Sequence, residues 1–344
     1  MLPRHLAVLL HRGIHAGGAL LLQGPRGAGK STLLRHELPR HLYLDLTDAT
    51  DRSASRRDPA AFLARLRRPA IIDELQRSPE LVSHLAAHPL DQPVVFAADL
   101  RLPLPLPTFE LHPLTRAERQ RRPAMPLSLL GRFTPAPASP RRTLSTDEPS
   151  PPSLDFLWRD LPLLLRPHDL DRFERFFSLL AQRSGTLLAQ QELARELDVS
   201  HRTIVRWLQA LDACFLTLRL EPFDEPLSRR LVRRPKLHLL GSTTSFETEV
   251  VTELHRNARH AGLTPQLRYW RDSNGLEIPL IVQAEPGDPW IPCALAPRAD
   301  PAAEARLHRW MRLSGLTRGA LIQRAPTPGA ARATPILRYA LSDL

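Results

Sequence analysis

Over the first 120 residues, short apolar runs alternate with amphipathic stretches of helical period. Residues 3–16 place Leu6, Leu9, Leu10 and Ile14 on one face of a helix. Gly18-Ala19-Leu20-Leu21-Leu22-Gln23 is a short apolar run, the pattern of a strand buried on both faces. Ser31 to Leu38 reads as a helix stopped by Pro39, and His41 to Leu46 alternates as a second strand. Asp58 to Leu66 reads as a helix with Asp58 as its cap and Pro59 in its first turn. Pro69-Ala70-Ile71-Ile72-Asp73-Glu74 is an apolar strand that ends in two acids. Pro93 to Ala98 and Thr108 to Leu111 add two more strands. This alternation predicts an α/β domain with a mostly parallel sheet and its ligand at the strands' C-terminal ends.

The pattern breaks at 121–153, where prolines crowd together into a stiff polar linker. From 170 to 220 it is helical again. Gln190 to Leu197, a turn through Asp198-Val199-Ser200, and Thr203 to Leu211 form a helix-turn-helix. Ser200 caps its second helix. Leu193, Ala194, Leu197, Ile204, Trp207, Leu208 and Leu211 are its expected core. The last third reads as helix 246–259, strands 267–271, 276–282 and 290–295, helix 301–313 and strand 319–323. That αβββαβ order implies a small mixed sheet with its own core. The expected divisions are 1–120, the linker 121–153, 154–236 and 237–344.

Composition narrows the class. The hydrophobic fraction of 42% fits a globular chain, and two cysteines cannot build a disulfide framework or a four-ligand zinc site. No run reaches the length of a membrane-spanning helix and the start lacks a signal-peptide pattern, so a cytoplasmic protein is expected. The net charge of +11 favours polyanionic partners. Arg supplies nearly all of it, which equally fits a drift in composition.

Candidate chemistry begins between the first strand and the second helix. Gly24-Pro25-Arg26-Gly27-Ala28-Gly29-Lys30-Ser31 fits the phosphate-binding loop G-x-x-x-x-G-K-[ST], in the strand–loop–helix setting that loop needs. Glycines let backbone N–H groups turn toward phosphate oxygens, and the helix N-terminus adds partial positive charge. Residues 24–31 with Thr32 form the expected ATP site. Lys30 is one of only two lysines in the chain, which argues against a chance match. Ser31 and Asp73 would hold Mg²⁺, and Glu74 would orient or deprotonate an attacking water. In the helix-turn-helix, His201, Arg202 and Arg206 stand where a DNA reader meets the major groove. The same helix pair also fits an inter-domain docking module. Arg229, Arg230, Arg233, Arg234 and Lys236 either clamp phosphates or form a solvated charge run.

Together these residues resemble a widespread prokaryotic family in which an AAA-type P-loop ATPase domain precedes a DUF4143 region. The resemblance runs through the Gly-Pro-Arg loop, Ile72-Asp73-Glu74-Leu75-Gln76-Arg77, Leu111-His112-Pro113-Leu114 with Glu118, and Leu193 to Ser200. It continues through Arg234-Pro235-Lys236-Leu237, Phe246-Glu247 and Tyr269-Trp270-Arg271. It implies an AAA-like ATPase domain, a winged helix and a domain related to restriction endonucleases. Where the family ends its fourth strand in a polar sensor, this chain has Ala97-Ala98-Asp99. Negative charge there implies slow hydrolysis. The nuclease pattern is also broken: Glu277 is followed by Ile278-Pro279, and Ala294-Leu295-Ala296 replaces an acid-x-Lys pair. Glu247 and Glu277 remain, and no nuclease activity is expected.

The expected function is an ATP·Mg²⁺-binding switch that moves its C-terminal domains. The alternative is a DNA-binding module with nucleotide binding secondary. A second copy of the chain or another protein would be a further partner, and Arg101, Arg116 and Arg132 are candidates for an arginine finger.

Overall fold

A computed structural model describes residues 2, 4–66, 68–88, 90, 92–123, 165, 170–224, 232–241, 245–325, 336–341 and 344. Beyond residue 123, the linker expected at 121–153 lies outside them, as do Arg132, Arg229 and Arg230.

Five strands, β1 (Leu20–Gln23), β2 (Leu42–Asp45), β3 (Ala70–Asp73), β4 (Val94–Ala98) and β5 (Thr108–Glu110), form a parallel sheet of order β2-β3-β4-β1-β5. Their side chains alternate between two apolar layers. Leu20, Leu22, Ile71, Val95 and Ala97 meet Leu6 and Leu10 of α1 (Leu6–His15) and Leu33 and Leu34 of α2 (Lys30–Glu37). On the other face, α3 (Ala49–Arg57), α4 (Pro59–Ala64) and α5 (Pro79–Ala87) cover the sheet, with Phe62, Leu63, Leu81 and Leu85 against Leu21, Ile72, Val94 and Phe96. Helices on both faces are why the strand sequences are continuously apolar. Each such side chain contributes roughly 1.5–3 kcal/mol by burial. Two expected short strands, 93–98 and 108–111, are thus β4 and β5, and they flank β1 on either side.

After β5, the short helix α6 (Arg116–Arg119) is closed by a reciprocal cap between Thr115 and Glu118. Among the described residues, the helical middle contains α7 (Leu170–Gln182), α8 (Gln190–Glu196) and α9 (His201–Ala213). Ser200 Oγ accepts from Thr203 N at 3.1 Å, capping α9 as expected. All seven expected core residues are buried in one cluster, joined by Phe173 and Phe176 against Trp207.

Among the described residues, the second sheet has eight strands: β6 (Thr186–Leu187), β7 (Thr217–Pro222), β8 (Lys236–Leu239), β9 (Gln266–Arg271), β10 (Glu277–Gln283), β11 (Ile291–Leu295), β12 (Gly319–Gln323) and β13 (Ile336–Ala340). Their order is β13-β12-β11-β10-β9-β7-β8-β6. With α10 (Phe246–His260) and α11 (Pro301–Ser314), the αβββαβ succession is present from α10 to β12. The sheet is larger than that succession implies, because β7, β8 and β6 extend it past β9 and β13 extends it past β12. The position 236/237 falls inside β8.

α10 buries both faces. Val250, Val251, Leu254 and Ala258 join the core of the mixed sheet. Glu253, His255, Arg256 and His260 are buried as well, and they meet the segment after β5. The polar side of this helix is therefore the joint between the two sheets.

Candidate functional site

The strand order fixes the geometry. β4 lies between β1 and β3, so the loop after β1, the acid ending β3 and the residue after β4 converge at one sheet edge. Gly24 leaves β1 with its N–H donating to Ala98 O at 3.2 Å. A side chain on Gly24 would place Cβ 1.9 Å from Leu111 O, so the position accepts only glycine. Gly29 caps α2 with φ +91°, in the left-handed region.

Lys30 is buried and turned into the loop. Its Nζ donates to Gly24 O at 2.8 Å and Pro25 O at 3.0 Å, and lies 2.5 Å from Asp99 Oδ1. The Arg26 guanidinium lies 3.7 Å from Asp99 Oδ2. Ser31 Oγ donates to Asp73 Oδ2 at 2.6 Å. Tyr43 Oη donates to the same oxygen, and Glu74 N donates to Asp73 Oδ1 at 2.8 Å. Burial, and then the neighbouring Asp73 carboxylate, push the Tyr43 phenol up to about 12, so it stays a donor. A hydroxyl and a carboxylate in contact are hard oxygen ligands, the kind Mg²⁺ takes. Ser31 and Asp73 fit that ion. Thr32 follows at an exposed position on α2.

Glu74 holds φ +60°, an uncommon conformation for a residue with a side chain. Its Oε2 accepts from Arg77 Nε at 2.9 Å and Gln76 Nε2 at 3.0 Å. Gln76 Oε1 in turn accepts from Asp99 N at 3.2 Å. Burial raises the Glu74 pKa, and Asp99 adds to it against the opposing Arg77. A carboxylate made more basic suits the removal of a proton from water.

Arg4 gave no signal in the sequence, and it touches the phosphate loop directly. Its Nη1 donates to Ala28 O at 2.9 Å and its Nη2 to His112 O at 2.5 Å. Its Nε lies 3.3 Å from Glu118 Oε1, and the same carboxylate oxygen lies 3.2 Å from Nδ1 of His260 on α10. His260 Nε2 accepts from His112 N at 3.0 Å. Burial works against a charged Glu118, but His260, Arg4 and the Thr115 N–H outweigh it and hold its pKa at about 2. A buried chain of contacts therefore runs from the phosphate loop to the C-terminal sheet.

Beside it, Glu110, His112 and His255 bring metal-ligand atoms within 4.8 Å of one another. Both carboxylate oxygens of Glu110 already face cations, Arg101 at 2.6 Å and Arg259 at 3.2 Å. Two guanidiniums supply the positive charge that a metal would bring, so this cluster is an ion-pair centre of the joint. Arg101 is thus engaged within the chain, as is Arg116, whose Nη2 lies 3.5 Å from Glu249 Oε2.

The DNA-contact candidates lie elsewhere. His201, Arg202 and Arg206 are exposed at the start of α9, and His201 Nε2 pairs with Gln190 Oε1 at 2.9 Å. Arg195, His201 and Arg234 line a cleft of about 410 Å³ together with Glu192. Lys236 separates from its basic neighbours. It is 2% exposed, its Nζ donates to Glu247 Oε1 at 2.8 Å, and it also pairs with Glu277. Position on β8 turns it into the sheet between the two carboxylates, a placement that no local spacing conveys.

Residues 16–93 match the model of the AAA domain, and residues 153–242 match a domain of unknown function, DUF8612. The second match falls on the helix-turn-helix division expected at 154–236, and it is to DUF8612, not to the DUF4143 region that the resemblance implied. The chain carries an AAA-type P-loop domain at its N-terminal end. Uncharacterised proteins of Mycobacterium bovis and Mycobacterium tuberculosis are each 29% identical over 377 residues, covering 99% of this chain and 77% of theirs. A signal transduction ATPase with a tetratricopeptide-repeat sensor from Pyrococcus horikoshii is 13% identical. That likeness covers 74% of this chain and 43% of that one, at a TM-score of 0.24. Among the described residues no helix is long and apolar enough to cross a membrane.

Proposed function

We propose that this chain is an ATP- and Mg²⁺-binding switch whose nucleotide site acts on its C-terminal domains. The observation that carries the reading is the Ser31–Asp73 contact of 2.6 Å beside a buried Lys30, at the mouth of a phosphate loop in an AAA-type domain. Backbone amides of Gly27 and Gly29 and the residues from Gly24 to Thr32 would hold the phosphates, with Ser31 and Asp73 as the metal's ligands. Bound Mg²⁺ would neutralise phosphate charge. Glu74 takes the base role, supported by its raised pKa. Arg4 connects the loop carbonyl of Ala28 to Glu118 and His260, which supports transmission toward α10. Turnover is slow because Asp99 puts negative charge where a neutral sensor would meet the terminal phosphate.

Equilibrium titration with labelled ATP tests the assignment. Lys30→Ala should bind far more weakly than the unaltered protein, and equal affinity would refute the site. Glu74→Gln should bind ATP normally and lose the remaining turnover.

A second reading, nucleic-acid binding, is favoured by the cleft that brings Arg195 and His201 to Arg234. It requires DNA affinity that falls steeply with salt and weakens in Arg202→Ala. Absence of binding at low salt would reject it.

A further inference from the structure

Residue 99 leaves β4 between the phosphate loop and the acid that ends β3. The Lys30 and Asp99 side chains are 4% and 8% exposed and 2.5 Å apart. Arg26 lies 3.7 Å from the second carboxylate oxygen. Asp99 is also held from behind. Its N–H donates to Gln76, Leu100 is buried in the helical core, and Arg101 N donates to Ala213 O of α9 at 2.9 Å. A carboxylate held this way offers Lys30 what a phosphate offers, a negatively charged oxygen at hydrogen-bonding distance, and offers Arg26 a nearby negative charge.

We infer that Asp99 is an internal stand-in for phosphate. It occupies Lys30, and the β- and γ-phosphates of a nucleotide bind only by displacing it. This deepens the nucleotide reading above and rests on it. The lysine meets one anion at a time at close range, so apparent affinity is the intrinsic affinity reduced by the fraction of molecules in which the pair is open. Two charges buried together open rarely, because Lys30 would keep only the neutral carbonyls of Gly24 and Pro25, and Asp99 only the more distant Arg26, in a site poor in water. Displacement also moves a segment that is tied to the end of α9. Phosphate binding is thereby felt in the helical domain without a separate relay.

The test compares unaltered protein with Asp99→Asn by titration with labelled ATP and labelled AMP, after circular dichroism has shown equal folding. Asp99→Asn should tighten ATP about tenfold or more, by removing the competition. AMP should change by less than about twofold, because its single phosphate does not reach the lysine's β/γ position. If Asp99→Asn fails to fold, Asp99→Ser carries the same expectation. Equal ATP affinity in both proteins overturns this inference and leaves the nucleotide reading standing. An equal gain for AMP also overturns it, since the effect would then not be local to Lys30. Failure of all the proteins to bind ATP overturns the nucleotide reading itself, and this inference with it.

Discussion

Replacing Glu118 by glutamine should cost the fold heavily, although the two side chains have nearly the same shape. Glu118 is 0% exposed. Its two oxygens accept separately, Oε1 from His5 N at 2.9 Å and Oε2 from Thr115 N at 3.0 Å, while Arg4 and His260 press on Oε1. Glutamine has one oxygen, so one buried backbone N–H would face an NH₂ group, at about 1–3 kcal/mol. The Arg4 guanidinium would also lose its buried counter-charge, and breaking such a pair by removing one partner costs roughly 3–5 kcal/mol. The two losses overlap, and ~3–5 kcal/mol is the expected total. In a urea titration followed by far-UV circular dichroism this moves the midpoint down by roughly 1–3 M. Arg4→Met alone and the double variant complete a cycle. Once Glu118 is neutral, the arginine has lost its charged partner, so the double variant should cost about 1 kcal/mol or more less than the sum of the two singles. A single-variant cost under about 1 kcal/mol, or strict additivity in the cycle, would refute the claim that these charges form one buried unit.

The C-terminal domain should not cut DNA. The Lys236 ammonium already pairs with both Glu247 and Glu277, where a metal would have to bind, so supercoiled DNA with Mg²⁺ or Mn²⁺ and ATP should stay intact. Nicking that disappears in Glu247→Ala or Glu277→Ala would contradict this. Stability should fall in mild acid. Burial lowers His112 to about 4 and His238 to about 3 from an ordinary 6.5, so unfolding takes up protons as pH falls below 6.5. Burial and Glu277 raise Glu247 to about 7 from 4.5, which acts in the opposite sense between those values. His255, His260 and His41 are lowered as well and Glu74 and Asp51 raised, so lowered histidines outnumber raised carboxylates five to three and unfolding takes up net protons, each worth ~1.4 kcal/mol per pH unit between about 6.5 and 4.5. A thermal midpoint that is constant or rises as pH is lowered through that window would count against these buried neutral histidines.

Several features were legible because their physics is local. The phosphate loop lies within eight consecutive residues, and the strand before it and helix after it are each set by their own apolar pattern. Asp73 was legible for a related reason: the last residue of a buried parallel strand emerges at the edge where ligands bind. The helix-turn-helix core followed from helical period and a serine cap. α3 was missed because its sequence, Ala49 to Arg57, has almost no apolar face; its start is set by Asp48, which accepts from Thr50 N and Asp51 N. Sequence placed Asp99 near the phosphate but could not choose its partner. That choice came from strand order, which sets β4 beside β1 and brings Asp99 onto Lys30. Tertiary structure alone likewise joined Arg4 to Ala28, Glu118 and His260, and turned Lys236 from a basic run into the counter-ion of two glutamates. A side chain's period reveals which face it occupies, whereas its charge partner depends on which distant element covers that face, and no spacing along the chain encodes this.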